Sequence, residues 1–171
     1  MSLVVEDGTG KADAESYVAV ADVEAYAVRW GKSFAGLEAE KEAACRLSCR
    51  RLDQEFEDQF PSLRMTDTQA LAWPRGWFYD RHSVYVESGV IPPALKDAQC
   101  ELAIRQRAGE DLFPDTTNRM VTAETHSTED YAKTRHYAPA AQGTNAKPLR
   151  CFPVVEDLLR RILRPRTHRR A

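Results

Sequence analysis

The stretch from about Leu37 to Phe56 constrains this chain most. Cys45, Ser48, Cys49, Leu52 and Phe56 recur at intervals of three and four, with Leu37, Ala44 and Leu47 beside them. That spacing gathers an apolar stripe on one side of an α-helix and scatters it on a strand. Glu38, Glu40 and Glu42 come early, and Arg46, Arg50 and Arg51 follow, the order that suits a helix dipole. Pro61 closes the element. Such a helix gains most of its stability from packing rather than propensity, so the rest of the chain must cover its stripe.

Three more segments have the same period. Val23, Tyr26, Ala27 and Trp30 share a face between about Ala21 and Trp30, with Asp22 and Glu24 in the first turn and Gly31 as the stop. Pro92 and Pro93 open a third helix that runs to about Ala108 and buries Leu95, Ala98, Leu102 and Ile104. A fourth begins at Phe152-Pro153, carries Val155, Leu158, Leu159, Ile162 and Leu163 on one side, and ends at Pro165. Residues 3–20 read as an extended arm with a turn at Gly8 and Gly10. Trp73-Pro74-Arg75-Gly76 reads as a turn, and Trp77–Val86 as a short strand or hairpin. Within the polar stretch 114–150, Met120–His126 and Asp130–Tyr137 alternate loosely enough to pair.

The expected fold is therefore mainly α. About four helices form a small bundle, with an extended N-terminal arm, an exposed β-hairpin or loop, and a detached C-terminal helix plus basic tail. Residues 1–110 would hold the core and arm, 111–150 the exposed hairpin and flexible connection, and 151–171 a docking helix and tail. Isolated by its linker, that last helix must pack on the body or on another chain.

Charge sharpens the division. Net charge is −2 over 171 residues, yet residues 160–171 carry six arginines and no acid, leaving 18 basic and 26 acidic groups in the rest. A body of −8 thus bears a tail of +6, which points to an acidic partner, either a protein surface or nucleic acid. No run of about 20 apolar residues would span a membrane. MSLVVEDGTG lacks the basic start and apolar stretch of a secretory signal. The cysteines (Cys45, Cys49, Cys100, Cys151) suit a reducing cytoplasm, and no second cluster turns Cys45 and Cys49 into a zinc site.

Catalytic signatures are missing. Gly8-Thr9-Gly10-Lys11 fails as a phosphate loop, because Val5 stands where a glycine is needed and Ala12 where a Ser or Thr is. No G-x-S-x-G or H-E-x-x-H occurs, and His82, His126, His136 and His168 are scattered. No catalytic residue, cofactor or metal is expected, and the chain reads as a non-enzyme. Two binding features remain. The run Trp73, Arg75, Trp77, Phe78, followed by Tyr79 and Arg81, could stack single-stranded bases beside neutralised phosphates. Packing of these rings onto the helices is the weightier reading. The second is the terminal helix and tail, where Leu158, Leu159 and Ile162 would enter a partner's groove while Arg160, Arg161, Arg164, Arg166, Arg169 and Arg170 pair with acids.

VVEDGTGKADAESYVAVADVEAY, TQALAWPRGWFYDR, IPPALKDAQCELA and VVEDLLRRIL together resemble a tailed-phage family. Its members go by two descriptions, head–tail connector adaptors (head completion) and DnaT-like single-stranded-DNA-binding proteins. The likeness is strongest over residues 4–31 and 66–108. The adaptor description implies a structural virion protein of the neck, assembled in the host bacterial cytoplasm. Its copies would form a ring of twelvefold symmetry that docks on the portal protein and joins it to a stopper or tail component, with DNA passing through the lumen. The DnaT-like description implies a replication protein that binds single strands. A net charge of −2 and a pI near 6.1 weigh against strong binding of that kind, so the adaptor is the first expectation and the single-strand binder the alternative.

Overall fold

The computed structural model describes residues 2–113, 121–126, 133–137 and 152–164. Helices α1 (Val20–Arg29), α2 (Glu38–Phe56), α3 (Pro93–Arg107) and α4 (Pro153–Leu159) make it mainly α, as the periodicity predicts. A 3₁₀ turn (Glu57–Gln59) follows α2, and two strands, β1 (Phe78–Tyr79) and β2 (Tyr85–Val86), pair as a short antiparallel hairpin. A second hairpin joins β3 (Val121–His126) to β4 (Lys133–Tyr137), with a register shift between Val121 and Ala123.

α3 is central. Leu95 and every residue from Ala98 to Ile104 are buried, and burial all round marks a helix enclosed by others. α1, α2 and α4 all pack against it. The α2 stripe is buried as its spacing requires, from Ala44 and Cys45 through Ser48, Cys49 and Leu52 to Phe56. Val23, Tyr26 and Ala27 join Cys45, Cys100 and Ala103 in one core cluster, whereas Trp30, expected on that face, is 61% exposed. It falls at the C-cap of α1, past the last turn that the core covers. Burial pushes the Cys45 and Cys100 thiols up to about 12, which keeps them protonated and inert. Cys151 lies outside the described residues.

Residues 1–112 and 152–171 form one compact unit, and residues 113–151 a second. The C-terminal helix, expected to be detached, therefore belongs to the body. Phe152, Val155, Leu159 and Ile162 are buried, and the Phe152 ring lies 5.8 Å from the guanidinium of Arg51 on α2 and 5.8 Å from that of Arg105 on α3. A short helix cannot leave an apolar face in water, and the groove on α3 is the nearest cover.

The arm is held by polar contacts. Gln99 on α3 donates to Ser16 Oγ (2.7 Å) and to the Cys45 carbonyl (2.9 Å), and its own oxygen accepts from Tyr17 N (2.9 Å). The glycine loop is an anion cradle after all, but an occupied one. Backbone N–H groups of Gly8, Gly10 and Lys11 each donate to the buried Glu6 carboxylate at 2.9 Å. Gly8 is required there: φ is +102°, and an added Cβ would lie 2.1 Å from the Gly89 carbonyl oxygen.

Candidate nucleic-acid interface

β1 sorts the aromatic run by a two-residue alternation. Phe78 turns inward and is 6% exposed, while Trp77 and Tyr79 turn outward at 59% and 62%, as successive residues on a strand must. Phe78 meets Trp73 edge-on at 5.7 Å, and Trp73 meets Phe60 edge-on at 5.5 Å. Trp73, 1% exposed, is thus a core residue, like Phe78.

Arg75 is also committed inward. Its guanidinium donates to the carbonyls of Ala72 (3.0 Å) and Ser62 (3.0 Å) and lies 5.3 Å from the centre of the Phe60 ring. Desolvation lowers its pKa. Of the four residues put forward for base stacking, Trp73, Arg75 and Phe78 are therefore unavailable, and Trp77 alone presents its ring. The physical cause is plain: a large ring and a guanidinium between a turn and a helix end gain more from packing and carbonyl contacts than from water.

The exposed partners of Trp77 are not among those four residues. Tyr79 pairs directly with Tyr85 across the hairpin, their rings 5.8 Å apart, and Trp77 lies 6.4 Å from Tyr79 and 6.2 Å from Tyr85. Three rings thus form one patch. The outward period of two, Trp77 and Tyr79, is a signal present in the sequence. Tyr85 needs the hairpin register.

Asp80 holds this patch and the C-terminal segment together. Its carboxylate accepts from His82 N (2.9 Å), from Val84 N (2.8 Å) and from the Arg161 side chain. Burial alone would raise its pKa, but the hydrogen bonds from Val84, Arg161 and His82 outweigh it and hold the carboxyl below its usual range. Arg81 N donates to the Arg161 carbonyl (3.0 Å) and Arg164 N to that of Gln59 (2.8 Å). Tyr79, Asp80, Arg81, Arg161 and Arg164 border a cleft of about 300 Å³. A neighbouring cleft of about 320 Å³ is bordered by Arg81, Arg160 and Arg164, with Glu156 and Asp157 also in its wall.

The residues expected to face a partner divide accordingly. Leu159 and Ile162 are in the body's own core, and Leu158 is half-buried. Arg161 binds Asp80. Arg160 and Arg164 reach solvent, while Arg166, Arg169 and Arg170 lie outside the described residues. Among the described residues no group of three His, Cys, Asp or Glu side chains could hold a metal ion, and no helix is long and apolar enough to cross a membrane.

No curated protein and no solved structure matches the chain. A sequence profile for a family described as "Putative DnaT-like ssDNA binding protein" matches all of it, residues 1–171. That is one of the two descriptions carried by the resemblance, and the match makes no reference to head–tail connectors. The chain belongs to this DnaT-like family.

Proposed function

We propose that this protein is a non-catalytic binding module for single-stranded DNA, and that Trp77, Tyr79 and Tyr85 are its stacking platform. The observation that carries the reading is the three-ring patch beside the arginines of the C-terminal segment, with family membership in support. Exposed rings can only stack on bases whose faces are open, which in DNA means an unpaired strand. Each stacked base is worth about 1–3 kcal/mol, so Trp77→Ala is expected to weaken binding of a short oligothymidylate by about 5- to 150-fold. Because Trp77 is exposed, the melting temperature should stay put. Fluorescence titration measures both affinity and quenching. Equal affinity of wild type and Trp77→Ala would sink the platform, and absence of binding at low salt would sink the function.

A second reading, the portal-docking adaptor of a phage neck, is supported by the charge split between a −8 body and a +6 terminal segment. With Leu159 and Ile162 internal, it now depends on the arginines alone for docking. Co-purification with portal protein, lost when residues 165–171 are removed, is the outcome it requires.

A further inference from the structure

Among the described residues, two cations beside the aromatic patch have no anion. Arg81 and Arg164 border both clefts, and among the described residues neither side chain has a carboxylate or carbonyl partner. The nearby acids are otherwise engaged. Asp80 is filled by two backbone N–H groups and Arg161. Asp157 lies 4.0 Å from Arg160. Backbone hydrogen bonds from Arg81 to the Arg161 carbonyl and from Arg164 to the Gln59 carbonyl hold both residues at the rim of the clefts. Like charges held around one concavity favour an anion between them. Arginine suits a phosphate in particular, because its planar fork can donate two parallel hydrogen bonds. Tyr79 borders the same cleft and is also a member of the stacking patch.

We propose that the cleft bordered by Tyr79, Arg81 and Arg164 is a phosphate seat, taking a backbone phosphate of a nucleotide whose base lies on the aromatic patch. This deepens the single-strand reading and rests on it for the identity of the ligand. Arg161 is the positioning member: through Asp80 it fixes the hairpin against the C-terminal segment and leaves the other two guanidiniums for the anion.

The test follows the arginine Nε–Hε NMR signals of the full chain during titration with three probes: a short oligothymidylate, inorganic pyrophosphate and a hexaglutamate peptide. Arg81 and Arg164 should move with both phosphate probes and far less with the peptide. In parallel, the slope of log affinity for the oligothymidylate against log salt should become shallower by about 0.7 in Arg81→Gln, and by about 1.4 when Arg164→Gln is added. Arg29→Gln, remote on α1, should leave it unchanged. Oligothymidylate binding with an unaltered slope in the double variant would overturn the seat. So would signals that respond to the peptide and to neither phosphate probe. Should the wild type bind no oligothymidylate, the single-strand reading falls by itself. Pyrophosphate then decides the seat: movement of both arginines sustains it, and none overturns it.

Discussion

Asp53 lies on α2 and ties three segments together. Its carboxylate accepts from the Tyr17 hydroxyl (2.6 Å) and from Ala72 N (2.9 Å), and the same hydroxyl accepts from Trp73 N (3.2 Å). Desolvation raises its pKa from 3.8 to about 6 against the opposing pull of those two hydrogen bonds. Tyr17, wholly buried, is raised well above its usual value, first by desolvation and then by the Asp53 charge. A folded pKa above the unfolded one means the native state holds the extra proton, so this carboxyl's contribution to stability is greatest below about pH 4. It declines as pH climbs from about 4 to 6, by about 1.4 kcal/mol for each pH step of one across that window. Asp7, lowered to about 2, acts with the opposite sign and below pH 4, outside that window. Urea denaturation at pH 4.5 and 7 should show the decline, and Asp53→Asn should flatten it. Tyr17→Phe should cost about 1–3 kcal/mol at pH 7, because it strands a carboxylate oxygen and an amide N–H. A loss of under about 0.5 kcal/mol would mean that water takes over both partners.

At the scale of elements, α4 and the first hairpin differ most from expectation. Helical period and the Phe152-Pro153 start make α4 plain, but they cannot say which surface it covers. Because Phe152, Val155, Leu159 and Ile162 are buried, and each such side chain is worth roughly 1.5–3 kcal/mol, deleting residues 152–171 should cost roughly 5 kcal/mol or more. That rivals the whole stability of a domain. A fully folded 1–151 fragment would refute the placement of α4. In the hairpin, the Asp80 turn supplies what the two-residue strands cannot, since pairs this short are not stable by themselves. The composition of residues 73–81 is readable as aromatic and basic, yet which rings face water depends on one strand's pleat and on the packing of Trp73 against Phe60.

For the whole molecule, the low net charge argues against DNA binding only while charge is treated as a mean. Arg161 and Arg164 of the terminal segment border the same cleft as Tyr79, and at about 0.15 M salt, where screening acts over about 8 Å, a bound phosphate responds to that local field more than to acids elsewhere on the body. Removing residues 165–171 deletes three arginines. The salt-dependence slope for oligothymidylate should then become shallower by up to about 2, at about 0.7 for each phosphate no longer neutralised. An unchanged slope would confine the interface to the described arginines.

Sequence alone determined the number of helices and the extent of α1, α2 and α3, the apolar stripes of α2 and α3, the second hairpin and the charge split, because these rest on neighbours three, four or two residues apart; α4 ends at Leu159, short of the expected stop at Pro165. Tertiary structure decided the rest. It placed Glu6 in the glycine cradle, drew Arg75 and Trp73 inward, seated α4 on α3, and brought Tyr85 and Arg164 to Tyr79. These are contacts between residues far apart in the chain, and only the competition to bury apolar surface while satisfying most polar groups settles which of them form.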